Sequence, residues 1–208
     1  FRSMVRKAMH EGDVREDRLS RMIMDALMDE GCEQGSEFMA VYDSSKEKRP
    51  HTEPGGTDFV VVEGDLVICD APMAGPGGYY SDFARTFCRG KPSEASRKRY
   101  REAYETMQAA LPLIKAGPCR EFFDRFGKNA SRRLPGLDGF HGVGLCLYEA
   151  PWCRGGDPEE YYLDLEENMI IALEINHNPV KLEHLLRVTK DGVENLSTYP
   201  MDPELVPA

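Results

Sequence analysis

The sequence predicts an α+β fold in which helices cover one face of a curved antiparallel sheet, on three observations. Some stretches repeat apolar residues at helical spacing, while others are short, rich in Val and Ile, and bounded by Gly and Pro. The short stretches follow one another through tight turns, a connection that joins antiparallel strands but not parallel ones. A helix followed by hairpins occurs once in each half, so two similarly ordered halves are expected. A chain of 208 residues can bury one substantial core, and a single domain over 1–208 is the expectation.

Taken in order, Asp13 and Glu16 have the spacing of a capping box. Leu19, Met22, Ile23, Ala26 and Leu27 then recur at helical period until Gly31 stops the pattern. Positions 36–42 alternate as a strand, and 43–58 form a long polar loop of the kind that lines sites. Positions 59–62 and 65–71, separated by Glu63-Gly64, read as two strands joined by a tight turn, with Asp70 ending the second. A turn over 72–78 and an extended segment over 79–88 make a second hairpin. Ser93 caps a long helix with a stripe of Tyr100, Ala103, Tyr104, Met107, Leu111 and Ile114, ending near Gly117-Pro118. A further helix is expected over 119–133, with Phe122, Phe123 and Phe126 inward. The remainder reads as a strand over 141–147, a loop around 152–160, and apolar strands over 169–175 and 182–188.

The net charge of −10 argues against a nucleic-acid partner, because phosphate binding needs clustered Lys and Arg. The densest basic stretch, 97–101, sits at a helix start and reads as a solvated face. Six cysteines occur without a C-x-x-C pair, which excludes a zinc knuckle and favours a reducing, cytoplasmic setting. Cys69 and Cys146 lie in apolar runs and are expected in the core. No apolar run reaches the roughly 20 residues that span a bilayer, and no secretory pattern opens the chain, so no membrane partner is expected. The chain opens on Phe1 rather than Met, and a preceding N-terminal domain of a longer protein is expected to be missing from it.

Ionised side chains inside strands or at their ends are costly unless paired or metal-bound. Five stand out: Asp70 ends an apolar strand, Asp82 lies in the next extended segment, His141 opens a glycine-spaced strand, and Glu174 and Glu183 interrupt the two C-terminal strands. Taken singly, each reads more simply as a turn or cap residue. Together, four carboxylates and an imidazole suit two hard or borderline divalent ions. Glu174 is the hardest to explain as idle, since it follows Met169-Ile170-Ile171-Ala172-Leu173 with no Lys or Arg beside it.

The segments holding these residues fall in a recognisable order. Gly64-Asp65-Leu66-Val67 leads to Asp70, and Gly78-Tyr79-Tyr80-Ser81-Asp82-Phe83-Ala84-Arg85-Thr86-Phe87 follows. Phe140-His141-Gly142-Val143-Gly144 continues to Glu149-Ala150-Pro151. Glu166-Glu167-Asn168-Met169 runs on to Glu174, and Leu182-Glu183-His184 precedes Val188-Thr189-Lys190-Asp191-Gly192. This succession resembles the pita-bread hydrolases, which include methionine aminopeptidases, Xaa-Pro aminopeptidases, prolidases and creatinases. The resemblance implies a pita-bread fold of two pseudo-symmetric halves and a hydrolase acting on a small peptide or small amide substrate, as a homodimer. It implies that Asp82 and Glu183 bridge two divalent metal ions, that Asp70 chelates one, and that His141 and Glu174 complete the other, with Glu174 also the general base. Two such ions polarise the scissile carbonyl and lower the pKa of water. Manganese is the first expectation, with cobalt, iron or zinc as alternatives.

The sequence departs from that pattern in places. Tyr148 stands where the peptidases carry a second histidine, seven residues after the first. A tyrosine can donate a hydrogen bond to a developing oxyanion but shuttles protons poorly at neutral pH. Glu183 follows Glu174 after nine positions, without the long loop of the peptidases; either the pocket wall is shortened or residues are absent from the chain. His51 resembles the family's substrate-facing loop histidine and reads equally as an exposed one. His177 can enter the pocket, whereas His184 alternates away from Glu183, and His10 reads as surface. Ala71-Pro72-Met73 and Ser197-Thr198-Tyr199-Pro200-Met201 are similar to creatinase-like members, which leaves open a non-peptidase hydrolase of a small zwitterionic metabolite. Pro72 replaces an aspartate that a dimethylsulfoniopropionate lyase would carry, and a metal-free binding module would lack ligands that are all present here.

Overall fold

The computed structural model describes residues 14–35, 38–42, 58–119, 122, 137–154, 164–201 and 205. His10, His51 and most of the expected loop over 43–58 lie outside these residues. So does the expected helix over 119–133, apart from Cys119 and Phe122, both buried.

β1 (Val14–Arg15) leads into α1 (Glu16–Asp29). The helix buries Leu19, Ile23 and Ala26, as their spacing predicts. Gly31 ends the pattern at φ +91°, a left-handed conformation costing other residues about 1–2 kcal/mol. The helix does not start on the expected capping box, and Asp13 lies outside the described residues. Its N-cap is Arg15, at φ −92° and ψ 146°, and the buried Glu16 donates its amide to the Phe59 carbonyl at 2.9 Å. The reason is the ladder that Val14 and Arg15 make with Val61 and Val60, which keeps the chain extended up to the cap.

β2 (Gln34–Gly35), β3 (Phe38–Tyr42), β4 (Val60–Val61), β5 (Leu66–Asp70), β6 (Met73–Ala74), β7 (Tyr80–Ser81) and β8 (Ala84–Cys88) follow. The hairpin expected between 59–62 and 65–71 does not form. β4 runs back to β1, while β5 lies between β3 and β8. All five residues of β5 are buried, so both of its edges need hydrogen-bond partners. The second expected hairpin does form: β5 pairs with β8, Asp70 opposite Ala84, and its tip folds into a short ladder of β6 and β7.

α2 (Glu94–Ala110) starts at Ser93, whose Oγ accepts from the Ser96 N–H at 3.0 Å. Tyr100, Ala103, Met107 and Ala110 are buried along it. It stops in a 3-10 turn (Leu111–Leu113), earlier than expected, because Pro112 has no N–H to continue an α-helix. Gly117-Pro118 then forms β9 (Gly117–Pro118).

β10 (Leu137–Gly142), β11 (Glu149–Arg154), β12 (Asp164–Leu165), β13 (Ile170–His177), β14 (Val180–Val188) and β15 (Val193–Asn195) complete the described chain. β12 pairs with β9, and the others form one antiparallel sheet in the order β11-β10-β13-β14-β15. Two expectations shift here. The strand holding His141 precedes it rather than beginning at it, and Trp152 belongs to β11, opposite His141, rather than to a loop. The cause is close pairing of β10 and β11: a Cβ on Gly142 would lie 2.5 Å from the Ala150 carbonyl oxygen. Positions 144–148 therefore bend away, and Cys146, expected in the core, is exposed. The nine-position interval between Glu174 and Glu183 is a tight hairpin in continuous register, turning at Asn178-Pro179.

Strand alternation divides the chemistry. Ile171, Leu173 and Ile175 of β13 and Leu182 and Leu186 of β14 join Tyr100, Ala103 and Met107 of α2, with Leu66 and Ile68, in the main core. Leu19 and Ile23 of α1 pack on Val67, Cys69 and Phe87 in a second cluster. Each half is thus a helix laid on a sheet. Among the described residues no helix is long and apolar enough to cross a membrane.

Candidate metal centre

The five expected residues arrive from both halves. Asp70 is the last residue of β5, and the Ala71 N–H donates to the Phe83 carbonyl at 3.2 Å, which holds the Asp82 segment alongside. The Tyr80 N–H donates to the Gly144 carbonyl at 2.7 Å and fastens that segment to the turn after His141. His141 pairs in backbone register with Ala172, and Glu174 lies directly opposite Glu183. Directly opposed residues point to the same face, so the two glutamates share the face away from the main core.

All five side chains are buried. His141 Nε2 lies 3.4 Å from Asp82 Oδ2 and 3.3 Å from Glu174 Oε1. Ligand atoms of Asp82, His141 and Glu183 fall within 4.8 Å of one another. Neither carboxylate oxygen of the fully buried Glu183 has a hydrogen-bond partner among the described residues.

A residue that the sequence reading missed completes the cluster. Lys181 Nζ lies 2.5 Å from Asp70 Oδ2, 3.5 Å from Glu183 Oε2 and 3.8 Å from Glu174 Oε2. Glu174 therefore does have a cation beside it, brought by the fold and not by sequence adjacency. The available signal was alternation: Lys181 precedes Glu183 by two positions in the same strand, so the two share a face.

The electrostatics follow from this arrangement. Burial opposes charge on Lys181, but Glu183, Asp70 and Glu174 more than reverse that and hold the ammonium well above its ordinary range. Burial raises Glu183 strongly, with Lys181 opposing and Asp82, Asp70 and Glu174 adding to the rise. Asp70 is raised by burial too, against the pull of Lys181. For His141, burial lowers the pKa, yet hydrogen bonds to Asp82, Glu174 and the Gly142 carbonyl bring it up to about 9.

The remaining expected residues separate. Tyr148 is half exposed, its ring T-shaped to that of His141 with centroids 4.7 Å apart. His177, read as able to enter the pocket, instead turns to α2, with Nε2 3.3 Å from Thr106 Oγ1 and Nδ1 3.8 Å from Glu102 Oε2. His184 alternates away from Glu183 as expected and is buried against Arg85, whose Nη2 lies 3.2 Å from its Nδ1. Burial and then the Arg85 charge push His184 down to about 3, so it is neutral. Arg85 also donates to the Glu183 carbonyl at 2.5 Å and from Nη2 to the Tyr199 carbonyl at 3.0 Å, bracing the strand that carries Glu183.

The model of metallopeptidase family M24 matches residues 1–190 of this sequence. The chain belongs to metallopeptidase family M24. This M24 chain is 27% identical over 207 residues to the probable dipeptidase PepE of Mycobacterium tuberculosis, covering 95% of the chain and 52% of that protein. It is 30% identical over 168 residues to the Xaa-Pro dipeptidase of Lactobacillus helveticus, covering 76% of the chain and 44% of that protein. It thus spans about half the length of these relatives. The crystal structure of dipeptidase PepE from Mycobacterium ulcerans matches 97% of the chain and 55% of its own with a TM-score of 0.75 at 24% identity, which identifies the pita-bread fold.

Proposed function

We propose that this M24 chain is the catalytic domain of a metal-dependent hydrolase that cleaves the C–N bond of a small peptide, with Xaa-Pro dipeptides as the favoured substrate class. The observation that carries this reading is Glu183, a fully buried carboxylate without a hydrogen-bond partner among the described residues, facing Asp82 and His141. The Lys181 ammonium 3.5 Å away is shared with Asp70 and Glu174, and one positive charge does not balance this group of buried carboxylates, which favours a further cation. Two carboxylates and an imidazole so close together, with Glu174 adjoining, fit a hard or borderline divalent ion, manganese first and cobalt, iron or zinc otherwise. When bound, such an ion supplies a Lewis acid for the scissile carbonyl and lowers the pKa of water.

The chain's own residues account for the rest. Glu174, with Oε1 against His141 and Oε2 3.8 Å from the Lys181 ammonium, takes a proton from the attacking water and passes it to the leaving amine. Tyr148, at the exposed side of His141, donates its hydroxyl hydrogen to the developing oxyanion. Lys181 keeps Asp70 and Glu174 balanced in charge. His51 is assigned a substrate contact on the family resemblance. A homodimer in the cytoplasm is the setting this reading expects.

The test is turnover by protein stripped with chelator and reloaded with manganese or cobalt. Hydrolysis of Xaa-Pro dipeptides is expected, and Glu174→Gln is expected to lower kcat by about 100-fold or more with metal content retained. No turnover of any Xaa-Pro peptide or small amide with either metal would overturn the reading.

A further inference from the structure

Within the metal-dependent reading above, on which this inference rests, we propose that the centre takes one divalent ion, held by Asp82, His141, Glu183 and Glu174. The ammonium of Lys181 stands as a built-in second cation where Asp70 would chelate another ion.

The side chains sort into two groups that share the two glutamates. On one side, Asp82, His141 and Glu183 bring ligand atoms within 4.8 Å of one another, and Glu174 Oε1 lies 3.3 Å from His141 Nε2. On the other, Lys181 Nζ contacts Asp70 at 2.5 Å, Glu183 at 3.5 Å and Glu174 at 3.8 Å. An ammonium among these three carboxylates already places a positive charge where Asp70 would hold an ion. A divalent ion seated on Asp70 would lie within a few ångströms of that charge, buried away from solvent screening, and the two would repel strongly.

The lysine is built into this position. Its backbone is fixed to the neighbouring sheet by a reciprocal pair with Thr86: the Lys181 N–H donates to Thr86 Oγ1 at 2.9 Å, and that hydroxyl donates to the Lys181 carbonyl at 2.8 Å. Thr86 lies in β8, whose partner β5 ends at Asp70. The stem thus starts near the β5–β8 pair that carries Asp70, with Thr86 opposite Ile68, and alternation along β14 turns it to the face of Glu183. Lys181 is 8% exposed, so solvent offers the ammonium little alternative.

Stoichiometry and magnetic coupling test this without relying on activity. Chelator-stripped protein titrated with Mn(II) is expected to bind one equivalent by calorimetry and to show an isolated-ion EPR spectrum, with the second equivalent appearing as free Mn(II). Lys181→Met is expected to bind a second equivalent and give an exchange-coupled spectrum, and Lys181→Arg to stay at one. Two tightly bound, coupled ions in the unaltered protein would overturn the inference while leaving metal-dependent hydrolysis standing. No bound ion, with no hydrolysis, would overturn both. The titration of the unaltered protein decides the matter even if a Lys181 variant fails to fold.

Discussion

Tyr148 is the residue at which the proposed substrate chemistry is most directly tested. It stands where the family resemblance places a histidine, and its ring meets that of His141 at 61°. A phenol with a pKa near 10 donates a hydrogen bond at neutral pH but is slow to exchange a proton. Tyr148→Phe is therefore expected to lower kcat by about 100-fold, with KM nearly unchanged. Tyr148→His is expected to raise turnover of Xaa-Pro dipeptides. Steady-state kinetics on both variants checks this, and an unaltered kcat in the phenylalanine variant would remove Tyr148 from the oxyanion role. At this scale the acidic and imidazole residues were readable, because a charge inside an apolar strand is conspicuous. Lys181 was not read, since a lysine in a sequence is ordinarily a solvated one and only its neighbours in space make it unusual.

Two elements carry the geometry of the centre, the β13–β14 hairpin and the β8 strand that braces it. The hairpin sets Glu174 opposite Glu183 in unbroken register. Inserting one glycine between Pro179 and Val180 would shift the pairing by one residue and turn Glu183 toward the main core. Loss of metal binding with retained circular dichroism is expected, and undiminished Mn(II) affinity would refute the register argument. In β8, Arg85 supplies hydrogen bonds to the Glu183 and Tyr199 carbonyls and to His184. Arg85→Met leaves these buried groups without their donor, at a cost of about 3 kcal/mol or more, readable as a lower urea midpoint of metal-free protein. Element types were largely readable from periodicity. Strand partners were not: β4 pairs back to β1, and β10 ends where it was expected to begin, because edge pairing depends on segments far apart in the chain.

Over the whole molecule, the centre joins the two halves. Asp70 and Asp82 come from the first sheet region, while His141, Glu174 and Glu183 come from the second. An ion held by both would bind the folded chain and not the unfolded one. At a hundred times its Kd it should add about 2.7 kcal/mol of stability, seen as a higher Tm with manganese than with chelator. An unchanged Tm would argue against a centre spanning the halves. By itself the sequence determined the α+β class, the stripe and cap of α2, the two C-terminal strands and the five side chains that gather. Each of these follows from local periodicity or from the cost of a charge in an apolar run. Only the tertiary structure decided which strands share edges, that His177 turns to α2, and that Lys181 reaches Asp70 from 111 positions away. The reason is that pairing and charge compensation are settled between residues that meet only when the sheets close on one another.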